Sequence, residues 1–383
     1  MFLLTKTFCN EGCNRRNFSI FADTFPREMA SEDTLFQLLR SELWQTPLQL
    51  SLTEEELNDV LSHARRQTVL GLTVNTFIRN KVSISRNTLF RLLAYWNQIK
   101  QTNGLINKEL ARFSDFMRQS GVDIVVVKGQ TVSCCYPHPE VRQAGDVDFY
   151  CDTANFERAA KLLNDTYGIT LSKDPRGKHD DFELNDVHYE IHRRLTDFAM
   201  RRHQNYWDTL LANDKGTTVR IGDADVPTLS QTVNAVYLFL HLFYHFIVLG
   251  VGLRQFCDLA MFLHVHRMSI DSKQLEQHLR GVGLFAAYRA VGALLVDKLG
   301  LPENEFPFQL KPRDRRRARR LVPAIFNMGN FGHSVQRHFS NPLLHTLETG
   351  VISYRHAMRF LPIAPGEVFF NLRRMTLGFF KHD

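Results

Sequence analysis

Apolar residues in the first third of the chain recur three and four apart. Leu35, Leu38, Leu39 and Leu43 follow Ser31 at helical spacing. Thr53 with Glu56 three residues on has the pattern of a capping box and opens a second helix. Leu57 to Val69, Leu72 to Asn80 and Ser85 to Arg118 keep the same period. Residues 30–118 therefore read as a helical lead-in, expected to cover a sheet.

The period changes at Gly121. Ile124 to Val127 is an unbroken β-branched run, the pattern of a strand covered on both faces. A turn ending in Lys128-Gly129, a short helix and a strand carrying Asp146 and Asp148 come next. Ala154 to Tyr167 reads as a helix, and Ile169 to Ser172, Phe182 to Leu184 and His188 to His192 as short strands. Lys173 to Asp181 is expected to be a charged, mobile loop. Val219 to Ile221 and Ala224 to Val226 flank a Gly222-Asp223 step, as in a hairpin that closes this core over residues 119–228.

From residue 229 to 383 the pattern is helical again, which makes the fold class α+β. Val233 to Leu249 is 17 residues of nearly apolar sequence, close to a membrane span in length. Asn234, His241 and His245 interrupt it, so a buried core helix is the expectation, and no transmembrane segment is expected. Residues 1–29 read as a poorly ordered extension, with the domain starting near Met29. MFLLTKTFC lacks the long apolar stretch and the cleavage site of a secretory signal.

Composition narrows the class. A 383-residue chain with 44% hydrophobic and 23% charged residues is an ordinary globular composition, which excludes disordered and collagen-like classes. The net charge of +7 permits an anionic partner. Much of it is local: KPRDRRRARR, residues 311–320, reads as a solvated helix start after Pro312, and no strong nucleic-acid signature accompanies it. Six cysteines without paired spacing fit reduced thiols and a cytoplasmic location.

The candidate chemistry lies in the central core. Alternation along a strand places Asp146 and Asp148 on one face, roughly 6.6 Å apart, where two carboxylates can converge on one divalent ion. Alone, D-x-D is short and also marks solvated strand starts. Val187 to His192 alternates too, with His188, Glu190 and His192 on one face, so Glu190 is a third candidate carboxylate. His241 and His245, one helical turn apart, have the spacing of zinc ligands but no intervening glutamate, and read as core or pocket histidines. Arg254 and Asp258 are also one turn apart and form either a helix ion pair or, facing a cleft, a phosphate contact.

Lys128-Gly129, Arg142, the Gly145-Asp146-x-Asp148 strand and the Glu190-x-His192 strand resemble the uncharacterised nucleotidyltransferase family of bacteria, within the DNA polymerase beta-like superfamily. The resemblance continues through Leu240-His241, His245, Arg254 and Asp258 to Gly329-Asn330-Phe331-Gly332. Many members of the superfamily carry Gly-Ser where this chain has Lys128-Gly129. The resemblance implies a mixed-sheet core between helical regions. It also implies transfer of a nucleoside monophosphate from an NTP to a hydroxyl-bearing acceptor, with magnesium or manganese held by Asp146, Asp148 and Glu190. Lys128, Gly129, Arg142 and Arg254 are the implied nucleotide contacts, with Arg142 equally able to pair with a core carboxylate. The alternative is a catalytically silent, antitoxin-like binding module on the same fold, and a weaker one is a phosphatase or nuclease using the same metal pair.

Overall fold

The computed structural model describes residues 21–173, 179–248, 250–329 and 342–379. Helices α1 (Phe21–Trp44), α2 (Glu54–Arg66), α3 (Leu70–Arg79) and α4 (Arg86–Gln119) lead into β1 (Val125–Val127) and the single turn α5 (Gln130–Ser133). Then come β2 (Val147–Tyr150), α6 (Thr153–Tyr167), β3 (Ser172–Lys173), β4 (His179–Leu184), β5 (Val187–His192) and α7 (Arg201–Asn213). The hairpin β6 (Thr217–Ile221) and β7 (Ala224–Thr228) precedes α8 (Gln231–Val248), α9 (Leu253–His266), α10 (Ser272–Gly281) and α11 (Phe285–Asp297). The last described helices are α12 (Pro312–Met328), α13 (Pro342–Met358) and α14 (Pro365–Phe379).

Local sequence sets several of these boundaries. Thr53 Oγ1 accepts from the Glu56 amide while Glu56 accepts from the Thr53 amide, the reciprocal cap expected at α2. Asp152 caps α6, and Gly168 ends it in the left-handed conformation. α12 starts at Pro312, inside the basic stretch, as a helix start should. α1 begins at Phe21, upstream of the expected Ser31. Residues 1–20 of the expected extension, and Asn330-Phe331-Gly332, lie outside the described residues.

The main sheet has the order β1-β2-β5-β4-β3, with β2 and β5 parallel and the other neighbours antiparallel. It is a mixed sheet with helical flanks, the α+β architecture expected. One face is apolar: Val126, Val147, Phe149, Phe182, Tyr189 and Ile191 pack against Leu110 and Phe113 of α4 and Phe156 and Leu163 of α6. Phe182 stacks on Tyr189 with ring centroids 5.0 Å apart, and Phe113 lies 4.7 Å from the same ring. Each buried aromatic of this kind contributes about 1.5–3 kcal/mol. That burial fixes which side of β2 and β5 faces inward and turns Asp148 and Glu190 to the opposite face.

Of the four lead-in helices, α4 covers the sheet as expected. α1, α2 and α3 instead share a second core with α8, α9, α10 and α11, built from residues such as Leu39, Leu61, Phe77, Phe239, Phe256 and Leu294. Their apolar stripes are wide enough to pack on other helices. β1 contributes to both cores, Val127 to the helical one and Val126 to the sheet one, and so does α4. Leu92 near its start belongs to the helical core, and Ile106 to Met117 belong to the sheet core. Gln67, fully buried after α2, ties this arrangement together. Its side chain accepts from the Leu253 amide at 3.1 Å and donates to the Ile325 carbonyl at 3.1 Å. Gly252 lies so close to Gln67 that a Cβ there would stand 2.7 Å from the Gln67 carbonyl oxygen. α8 is long and apolar enough to cross a membrane by length and composition, and 67% of it is buried in this core.

Candidate active site

The parallel pairing of β2 and β5 sets Asp148 opposite Glu190. Both project from the face away from α4. The expected D-x-D strand is shorter than its sequence implied: β2 starts at Val147, and Asp146 is an exposed residue on the loop before it. The antiparallel pairing of β1 with β2 brings Val127 opposite Asp148, so Lys128, just past the end of β1, reaches the carboxylate. Its Nζ lies 2.8 Å from Asp148 Oδ1. Lys128 and Gly129 both have φ of 51°, a reversal that glycine adopts freely and lysine does not. α5, which follows Gly129, is a single turn of helix.

Asp148 is 5% exposed, and burial opposes its ionisation. The Lys128 charge and the hydrogen bond from His192 outweigh that burial and hold the carboxyl well below the usual carboxylate range. His192 Nε2 lies 2.8 Å from Asp148 Oδ1 and 3.3 Å from Glu190 Oε2. Burial disfavours its imidazolium, but the hydrogen bonds to Asp148 and Glu190 prevail and push its pKa up. His192 Nε2 thus links the Asp148 and Glu190 carboxyls. The carboxylates therefore meet in one place, with a lysine and a histidine as their counter-charges.

β4 brings His179 and Asp181, both in the stretch expected to be a loop, to the site. His179 to Asp181 belong to the strand, and only 174–178 of the expected loop lie outside the described residues. Asn185 and Asp186, both at positive φ, make a two-residue turn into β5. The resulting register sets His179 opposite His192 and Asp181 opposite Glu190. His179 Nε2 then lies 3.4 Å from Asp181 Oδ1 and 3.9 Å from Glu190 Oε1.

α8 and α9 close the site from the other side. The Asp148 and Glu190 charges reach Tyr237, whose hydroxyl is kept protonated chiefly by burial and then by that negative field. Burial first, then the charge of Lys128, pushes the His241 pKa well below its usual value. The His241 ring meets that of His245 edge-on at 4.5 Å. Tyr237 carries no sequence signal: in an apolar helix it is indistinguishable from a core aromatic.

Arg142 turns into the core. It is 3% exposed and clasps Asp258 with two bonds, at 2.6 and 2.8 Å, while the Tyr136 hydroxyl donates to the same carboxylate at 2.7 Å. Asp258 is thus claimed by Arg142 rather than by Arg254, its neighbour one turn away. Arg254 instead donates to the Gln143 carbonyl at 2.9 Å and lies against Gly145, beside Asp146. Its Nε is buried without a hydrogen-bond partner. Burial, then the nearby Arg142 charge, lowers its pKa. Of the two arginines expected at the nucleotide, the structure brings Arg254 to the loop before β2 and commits Arg142 to the core.

A cavity of about 470 Å³ opens beside Tyr150 and Val125, between the sheet and the β6–β7 hairpin, and Thr228 lines it. None of the site carboxylates borders it. The donors at the carboxylate pair fit a divalent cation: Asp148 and Glu190 offer oxygens, and the buried negative charge already demands positive partners.

A sequence profile of an uncharacterised nucleotidyltransferase family matches residues 53–299, well over half of the chain. The chain belongs to this family. No curated protein matches it. Among solved structures, it is similar to an antigenic nucleotidyltransferase-like protein from Paracoccidioides brasiliensis at 12% identity, over 53% of this chain and 97% of that one, with a TM-score of 0.33. That likeness is too slight to bear on the site.

Proposed function

We propose that the protein transfers a nucleoside monophosphate from an NTP to an acceptor hydroxyl, releasing pyrophosphate. The observation that carries this reading is the convergence of Asp148 and Glu190 across one rung, with Lys128 on the same carboxylate oxygen. Asp148 and Glu190 would hold magnesium or manganese, with the exposed Asp146 at the mouth. The bound ion would neutralise phosphate charge and polarise the bond to be broken. Lys128, which meets Asp148, and Arg254, which lies against Gly145, would receive the β- and γ-phosphates. The acceptor oxygen attacks the α-phosphorus, the bond to the β-phosphate oxygen breaks, and pyrophosphate departs with its electron pair. Glu190, beside His192, takes the proton from the acceptor.

A second reading has an observation of its own. Asp148 is fully compensated by Lys128 and His192, so the buried carboxylate is tolerated without any ion. A nucleotide-binding module without turnover has that character. Incubation with α-labelled NTPs, magnesium and a panel of acceptors separates the two. Pyrophosphate release that is lost in Asp148→Asn supports transfer. Stoichiometric NTP binding with no pyrophosphate released in any arm sinks it in favour of the silent module.

A further inference from the structure

Glu190 has a second set of neighbours. Its Oε1 faces His179 Nε2 at 3.9 Å and its Oε2 faces His192 Nε2 at 3.3 Å. These donor atoms lie within 4.8 Å of one another. Ligand atoms bound about 2.1 Å from a tetrahedral ion stand about 3.4 Å from each other. The Glu190 spacings straddle that value and are longer than the 2.8 Å hydrogen bond that His192 makes to Asp148. Asp181 Oδ1, buried and without a hydrogen-bond partner, lies 3.4 Å from the same His179 nitrogen, so a fourth donor is at hand. Three strand positions hold this set rigidly: His179 and His192 are register partners, and Glu190 is two residues from His192 on the same face.

We propose that His179, Glu190 and His192 form a site for an imidazole-seeking first-row divalent ion of the zinc class, sharing Glu190 with the Asp148 pair, with His192 Nε2 giving up its proton and its hydrogen bond to Asp148 as the ion binds. Magnesium prefers six oxygens in octahedral array and takes imidazole poorly, whereas two imidazoles and a carboxylate match zinc and its neighbours. The inference rests on the transferase reading only for what the ion would neighbour. Binding itself stands or falls without turnover.

The test uses the untagged full-length chain, stripped with chelator and titrated with Co2+ as a spectroscopic probe and Zn2+ as competitor. One Co2+ per chain with visible absorption of low-coordinate cobalt is expected, displaced by equimolar Zn2+ but not by a thousandfold excess of Mg2+. His179→Ala and His179→Gln should each weaken binding at least about a hundredfold, the upper range for disturbing a metal's surroundings. His188→Ala should leave it unchanged, and circular dichroism confirms that each variant folds. Affinity unchanged in both His179 variants overturns the proposal. So does loss in His188→Ala, which would place the ion among Asp181, His188 and Glu190, and so does displacement by equimolar Mg2+ or the absence of a one-per-chain ion. Co2+ binding without pyrophosphate release fails the transferase reading and leaves this site standing.

Discussion

Asp148 and Glu190 share one rung of the parallel pair, and Lys128 meets Asp148 from the neighbouring strand at 2.8 Å. Because Asp148 is buried and Asp146 is exposed, their replacements should differ. Asp148→Asn is expected to lower pyrophosphate release at least about a hundredfold, and Asp146→Asn less than about tenfold. Single-turnover assays with α-labelled NTP would measure both. Equal losses would return the two aspartates to equal roles.

The Arg142–Asp258 pair is structural, and its loss should be read in stability. Asp258→Asn leaves a buried guanidinium without its counter-ion and is expected to cost about 3–5 kcal/mol. Replacing both partners by apolar residues, Arg142→Met with Asp258→Leu, should cost less than the single change. Urea denaturation decides between them, and a single-variant loss below 1 kcal/mol would return Arg142 to the pool of free cations.

Gly252→Ala should act at a distance through Gln67. The added methyl group meets the Gln67 carbonyl, so the start of α9 must shift and carry Arg254 with it. Overpacking of this kind costs about 1–3 kcal/mol. If Arg254 meets the triphosphate, KM for NTP should rise while the acceptor KM stays level. An unchanged nucleotide KM in a folded variant would remove Arg254 from the nucleotide.

Two histidines outside the site should govern acid stability. Burial, followed by Arg66, lowers His63 to about 4, and burial also lowers His356 to about 4 despite its bond to the Phe246 carbonyl. The fold therefore favours neutral rings. Above the unfolded value of 6.5 their contribution is fully present. As pH falls from 6.5 towards 4, the unfolded chain takes up protons that the fold refuses, and stability is lost, on the order of 3 kcal/mol per histidine at most. His356→Gln should flatten that slope in urea melts taken across this range. A slope identical to the parent would show that His356 titrates elsewhere.

Much of the fold was legible because its signals are local. The capping box at Thr53, the long period of α4 and the Gly222-Asp223 hairpin need only neighbours in sequence. The face carrying Glu190 and His192 was legible from alternation alone. The first half of β4 was not, since His179, Asp180 and Asp181 form a polar run whose strand character comes from pairing with β5, while Phe182 to Leu184 read as a strand. The partner of Asp258 was hidden for a different reason. Spacing within a helix proposes Arg254, and only the tertiary approach of the 139–142 segment to α9 supplies Arg142. Packing of α1 to α3 with the distant carboxyl-terminal helices is likewise a long-range outcome that an amphipathic stripe does not specify.

Lys128 also bears on the order of events at the site. A divalent ion arriving at Asp148 and the ammonium of Lys128 compete for one oxygen, and two cations so close repel each other. The triphosphate resolves that contest by offering the lysine a new anion. Ion and nucleotide should therefore load as a unit, each tightening the other, and an ion offered alone should bind this carboxylate weakly.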